Sequence, residues 1–238
     1  MTESIVNDRT SALPHTTWNG GERMNGTNGA NGAQPRDIGE EIFGPVCDRI
    51  HCTSEKRAAL EHLIELAVEL AREGREGRKI GTLFVVGDHE AVLKRSRPLL
   101  LDPLQGHAAE VLHIERPELR ETIKELSQLD GAFIVDWTGT FVSAARYIAT
   151  QLDDREFTSG LGTRHAAGQS ISKQTKAVAI VVSQSSVVRV YSGGELLAEI
   201  IPELYMMSKE RLFTPHASVR TLPKYGLSIA VSEEDGAA

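Results

Sequence analysis

The sequence predicts an α/β fold, a mixed central β-sheet flanked by helices in a single domain that follows an N-terminal tail. Two short runs of branched and apolar residues with glycine or serine at their ends, Ile80 to Gly87 (IGTLFVVG) and Ala177 to Ser183 (AVAIVVS), have the length and composition of buried strands. Segments with helical apolar spacing alternate with them. Two hairpin patterns add antiparallel strands, so the sheet is mixed and the class is α/β.

Taken in order, residues 1–36 are rich in Asn, Gly, Thr and Ser, with NGG, NGTNG and ANGAQP in succession, and read as a disordered tail. Trp18 is an isolated aromatic within it. A connector over 37–54 carries Ile38, Ile42, Phe43, Val46 and Ile50, enough for a helical turn or two docked on the domain. The domain proper is expected over 55–200 and a C-terminal extension over 201–238.

Thr53 or Ser54 caps a helix whose inner stripe is Leu60, Leu63, Ile64, Ala67, Leu70 and Ala71, with Glu61, Glu65, Glu69, Arg72 and Glu73 toward water, ending near Gly74. After the strand at 80–87, extended pieces are expected at Ala91 to Lys94 and, beyond a loop over 97–106, at Val111 to Ile114. Pro117 opens a helix to about Gln128 with Leu119, Ile123 and Leu126 inside. Gly131 to Asp136 and Thr140 to Ala144 form a hairpin across Trp137-Thr138-Gly139, followed by a surface loop over 153–156. Val187 to Tyr191 and Glu195 to Ile200 form another across Ser192-Gly193-Gly194. Leu204 to Leu212 reads as helical and Leu227 to Val231 as a final edge strand. No internal repeat is present.

Composition narrows the function. The 238 residues, 40% hydrophobic and 25% charged, suit one soluble domain with a sizeable core. The apolar run Ala177 to Val182 is far too short to span a bilayer. No basic region followed by an apolar core opens the chain, so a cytoplasmic location is expected, which also sets aside the acceptor pattern Asn25-Gly26-Thr27. A formal charge of -7 argues against a general nucleic-acid surface. Cys47, His51 and Cys52 lack a second ligand pair at metal-binding spacing and read as reduced thiols.

Within this acidic chain, Phe157 to Lys176 (FTSGLGTRHAAGQSISKQTK) contains no acid but holds Arg164, His165, Lys173 and Lys176. Gly160 and Gly162 allow a tight turn, Thr163 can cap a helix starting at Arg164, and free N–H groups there suit a phosphate. A glycine pair before a helix is equally an ordinary turn, and it matches neither the longer phosphate-loop nor the dinucleotide pattern.

Asp130-Gly131-Ala132 after a helix, Gly162-Thr163-Arg164-His165-Ala166-Ala167 beyond a loop, then a serine-ended strand and a hairpin at Gly193-Gly194, together resemble the diadenylate cyclase domain. This nucleotide-binding domain also occurs in the DNA integrity scanning protein. The resemblance covers roughly Glu55 to Ile200 and includes GTLFVVGD as the first core strand. It implies condensation of two ATP into cyclic di-AMP with release of pyrophosphate, assisted by Mn2+ or Mg2+. By motif, Asp130 would be the metal ligand or hydroxyl activator, and Gly131 and Ala132 would lie against the nucleotide. Gly162 and Thr163 with Arg164 and His165 would hold the triphosphate, Ser183 would lie near the phosphates, and the Leu152 backbone would meet the adenine.

Two positions depart from the family pattern. Ala166 stands where a second arginine is usual, and Gln184, followed by Ser185, where an acid commonly follows the serine. The leading expectation is a stand-alone soluble cyclase with no DNA-binding module and no membrane helices. The alternative is a weakened homologue that binds ATP or cyclic di-AMP as a sensor. Because the product has two equivalent halves and the chain one Asp130 and one Thr163-Arg164-His165 loop, a face-to-face dimer, alone or within a larger homo-oligomer, is expected.

Overall fold

A computed structural model describes residues 46–149, 162–209, 217–222 and 227–232. The tail over 1–36 with Trp18 and Asn25-Gly26-Thr27, most of the connector, Leu152, the loop over 153–156 and the glycine at 160 lie outside the described residues.

Residues 46–50 are helical (α1), in line with the docked turn expected of the connector. The long helix α2, Ser54–Glu73, is capped by Thr53, whose hydroxyl accepts from Lys56 N at 3.3 Å, and closes at Gly74 with φ 62. Its inner stripe is buried as expected. Leu66 and Val68 are buried as well, because α2 touches α4 (Pro117–Leu126) and α6 (Pro202–Lys209) besides the sheet.

This second cover also corrects the expectation that Glu65 and Glu69 face water. Arg120 of α4 donates to Glu69 at 2.8 Å and lies 3.6 Å from Glu65, while Lys124 Nζ sits 2.8 Å from both Glu69 and Glu121. Burial works against the Lys124 charge. The hydrogen bonds that Lys124 donates to Glu121 and Glu69 outweigh it and hold the ammonium above its ordinary pKa.

The sheet runs β2-β4-β3-β1-β5-β6-β7, with β1 Thr82–Val86, β2 Ser96–Pro98, β3 Ala132–Val135, β4 Phe141–Ile148, β5 Val178–Val182, β6 Val188–Ser192 and β7 Glu195–Ile200. β1 and β3 are parallel; every other neighbouring pair is antiparallel. Both faces are covered, which is why β1 and β5 read as continuous apolar runs. Phe84 and Val86 point to the α2 side, where Phe84, Phe133 and Phe141 pack with ring centroids 5.3 to 6.4 Å apart. Leu83 and Val85 point to the other side, toward Ile171 of α5 (Thr163–Gln174) and Val92 of α3 (His89–Lys94).

Several expectations are corrected. Ala91 to Lys94 is not extended but belongs to α3, six residues being too few to display helical spacing. Val111 to Ile114 is not a strand: Ala109–Val111 is a 3-10 turn, and His113 makes one isolated bridge to Thr140. β2 overlaps the start of the expected loop, on an edge where Pro98 is tolerated. Leu227–Ser232 (β9) pairs with Ala217–Leu222 (β8) in a separate two-stranded sheet and not on the main sheet. The Pro117 helix and both hairpins form as expected, the first hairpin being ordered by Asp136 Oδ1, which accepts from Thr138 N and Thr140 N at 2.9 Å each. Among the described residues no helix is long and apolar enough to cross a membrane.

α5 presents a small inner face to the sheet: Gly168, Ser170 and Ser172 are buried. A Cβ added at Gly168 would stand 2.8 Å from Val181 Cγ2. Gly168→Val is therefore expected to destabilise the domain by about 1–3 kcal/mol through overpacking. Val181→Ala in the same chain should recover part of the loss. Urea unfolding midpoints of the singles and the double check this, and simple addition of the two losses would contradict the packing argument.

Candidate functional site

The β1–β3 register (Leu83 with Ala132) and the β1–β5 register (Thr82 with Val182) bring Gly81, Gly131 and Ser183 to one end of the sheet. There α5 begins. A cleft of about 430 Å³ opens between them, with Asp130, Thr163, Arg164 and Arg146 as its polar members and Leu83, Leu99, Ala132, Tyr147 and Ile148 as its apolar wall.

Asp130 and Arg164, 34 residues apart in sequence, meet here: Arg164 Nη2 donates to Asp130 Oδ1 at 3.0 Å. The Asp130 side chain is 87% exposed, so its carboxylate is open to a ligand. Arg164 gains its place from Gly81, since a Cβ there would lie 3.3 Å from Arg164 Nη1 and 3.4 Å from Gln184 Cγ. The sequence marks Gly81 only as a strand boundary; its second role depends on the fold.

Thr163 lines the cleft as the first residue of α5, but it is not the cap. Gly162 occupies the cap position and has no side chain to bond the first N–H groups of the helix. Those donors, at the positive end of a 12-residue helix, face the site where an anion is stabilised. Lys173 and Lys176 do not join them. Lys173 packs beside Gly194, and Lys176 donates its backbone N–H to Asp88 at 2.9 Å, both at the far end of α5. The cationic window of the sequence thus contributes Arg164 alone to the cleft.

Gly131 adopts φ 102, and a Cβ there would lie 2.7 Å from Ala145 C and Arg146 N. The glycine is required by the backbone of β4, whatever else approaches it. His165 turns away from the cleft and is buried: its Nδ1 lies 3.2 Å from the Tyr191 hydroxyl and its Nε2 3.5 Å from Arg189. A helix side chain one position past Arg164 points about 100° around the axis, here into the sheet. Its expected contact with the triphosphate is replaced by this interior contact. Ser183 stands in the turn after β5, bonded to Ser185 through both hydroxyls at 2.9 Å, and is not part of the cleft wall. Leu152 lies outside the described residues.

Among the described residues no three His, Cys, Asp or Glu side chains form a metal cluster. A single open carboxylate suits a hard divalent ion that arrives with phosphate oxygens as its other ligands, and not a resident structural metal. Cys47 and Cys52 are free thiols. Burial, with the neighbouring Cys47, pushes the Cys52 thiol up to about 12, which keeps it protonated and unreactive.

Burial, with the Arg189 charge, pushes His165 down to about 4. Between its unfolded value near 6.5 and that value, the unfolded chain binds a proton that the folded chain refuses. The stability tied to neutral His165 is therefore complete above pH 6.5 and is lost as pH falls through about 4, at up to about 1.4 kcal/mol per pH unit. Melting temperatures of the parent and His165→Gln over pH 7 to 4 are expected to converge as pH falls. Parallel curves would contradict it.

Residues 69–196, from within α2 to β7, match the family described as DisA bacterial checkpoint controller nucleotide-binding. The chain is 44% identical over 149 residues to a diadenylate cyclase of Methanocaldococcus jannaschii, covering 62% of this chain and 47% of that protein. It is 39% identical over 147 residues to a diadenylate cyclase of Haloferax volcanii, covering 61% and 54%. To the DNA integrity scanning protein DisA of Clostridium kluyveri it is 30% identical over 179 residues, covering 72% and 45%. The chain spans about half the length of these curated relatives. Since the match takes in more than half of the chain and both motifs that meet at the cleft, the chain belongs to the DisA nucleotide-binding family.

Proposed function

We propose that the chain is a diadenylate cyclase, acting in the cytoplasm, that condenses two ATP into cyclic di-AMP and releases two pyrophosphates. The observation that carries this reading is the meeting of Asp130 with Thr163 and Arg164 at the mouth of one cleft. Family membership, and two relatives named diadenylate cyclase, support it.

In this reading the adenine takes the apolar wall of Leu99, Tyr147 and Ile148, and the triphosphate runs along Thr163 to Arg164 at the start of α5. The ribose 3′ hydroxyl of one ATP releases its proton to solvent and its oxygen bonds to the α-phosphorus of the other as the α–β phosphoanhydride bond breaks. Arg164, drawn from Asp130 by the phosphates, stabilises the charge that gathers on the departing pyrophosphate. A divalent ion, Mn2+ or Mg2+, would supply charge neutralisation at the phosphates, and Asp130 is the residue that would hold it. His165 acts from behind as a neutral positioning residue, fixing the first turn of α5 against Tyr191.

Each chain has half of what the symmetric product needs, so the active unit is a face-to-face dimer. The rim supports this. Leu100 and Leu101 are 88% and 75% exposed, and Leu99, Leu129 and Tyr147 are exposed beside them or at the cleft itself. Such apolar exposure at the mouth of a polar half-site suits a second copy.

Incubation with ATP and manganese, followed by chromatography, is expected to yield cyclic di-AMP. Asp130→Asn should abolish it, and Arg164→Ala should slow it by about a hundredfold or more. ATP binding without any product from the parent chain would instead establish the sensor alternative, for which Ala166 in the cleft wall and Gln184 beside Arg164 are the reasons.

The dimer has its own test. Specific activity is expected to fall on dilution, and excess Asp130→Asn chain should suppress the parent. Flat specific activity at concentrations where sedimentation finds only monomer would sink the dimer while leaving the chemistry standing.

A further inference from the structure

Arg146 lies in the second half of β4, two residues beyond the strand that the sequence marks at Thr140 to Ala144. The β3–β4 register shifts between Ala132 and Ile134, and Ala145 takes φ 50, unusual for a residue with a Cβ. This bulge is fully supported. Ala144 N donates to Asp102 Oδ1 at 3.0 Å, Ser143 Oγ to Asp102 Oδ2 at 2.6 Å, and Leu99 N to Ala145 O at 3.0 Å. The bulge fits only because Gly131 lacks a side chain at the same point. Bulges of this kind re-aim a side chain, and the one re-aimed here is Arg146, into the cleft wall.

Its bonding is one-sided. Nε donates to Ser96 Oγ at 3.1 Å, and Nη2 donates to Leu93 O at 3.1 Å and to Ser96 O at 2.9 Å. These acceptors are neutral: they fix the plane of the guanidinium without cancelling its charge. Arg120, Arg164 and Arg189 each have a carboxylate partner, whereas among the described residues Arg146 has none. A half-buried cation normally acquires one. A fixed guanidinium beside a cleft, with its charge unanswered and its Nη1 edge unused, is arranged for an anion that comes from outside.

We propose that Arg146 is a phosphate-binding residue of the cleft, a second guanidinium opposite Arg164 that takes a phosphate of the bound nucleotide. This rests on the reading of the cleft as a nucleotide site. The Asp102 latch and the Gly131 contact exist to hold that guanidinium in place.

Calorimetric titration of the full chain with a non-hydrolysable ATP analogue, with inorganic tripolyphosphate and with adenosine tests the assignment. Arg146→Gln is expected to weaken the analogue and tripolyphosphate by about 10- to 100-fold, the scale of a hydrogen bond to a charged group, and to leave adenosine within about twofold. Arg146→Lys, whose ammonium can still reach the carbonyls of Leu93 and Ser96, should fold as the parent does and show a smaller loss of the same two ligands. Unchanged binding of the analogue by both variants would overturn the proposal. So would an equal loss of all three ligands, which would make Arg146 only a strut between β4 and the α3–β2 corner. If the parent binds tripolyphosphate but neither adenosine nor the analogue, the nucleotide reading of the cleft fails, and with it the assignment of Arg146 to a nucleotide phosphate.

Discussion

The cleft depends on one contact between two stretches of backbone. At Gly131 the chain enters β3 against the bulge of β4, with no room for a Cβ between them. That contact sets where β3 begins and therefore where Asp130 stands. It sets the departure of Arg146 from the β4 ladder, and it fixes Tyr147 and Ile148 on the cleft wall. On the opposite side the same economy of atoms recurs: Gly168 lets α5 settle on β5, and Gly81 leaves space for the guanidinium of Arg164. Three glycines, each beside a different strand, let the polar groups converge.

Much of this was legible in the sequence, for identifiable reasons. Strands buried on both faces have to be apolar throughout, so β1 and β5 stand out; Pro117 and Gly74 mark helix ends by backbone chemistry alone. Asp130 and Arg164 stand out because they sit in short motifs whose order is distinctive, and the fold brings the two together. Elements stabilised by distant partners were not legible. β2 is a strand only because β4 reaches it, α3 is too short to show a period, and the 3-10 turn at Ala109–Val111 has no pattern of its own. His165 read as a phosphate ligand because it shares a short motif with Thr163 and Arg164; its burial depends on Tyr191, 26 residues further on. Arg146 gave no signal at all, since its direction is set by a bulge that no local spacing encodes.

The electrostatic plan separates structural charge from functional charge. Between α2 and α4, Arg120 and Lys124 are each answered by two carboxylates, and the buried ammonium is compensated where it lies. Behind α5, Arg189 is answered by Glu199 at 2.6 Å, and the imidazole next to it stays neutral. At the cleft the balance is looser, with one exposed carboxylate set against two guanidinium groups. The local surplus is positive although the chain as a whole is acidic.

The Arg164–Asp130 pair makes the cleft its own rival. Any anion that engages Arg164 has to displace a carboxylate already attached to the protein, and any cation that engages Asp130 has to displace the guanidinium. Neither displacement is hard, because so exposed a pair is worth only about 0–1 kcal/mol. When an anion and a cation arrive together the two displacements become one event, and each ligand frees the partner that the other needs. When they leave, the pair closes behind them and quenches both charges, so a ligand of lower charge competes less well with the pair than a highly charged one.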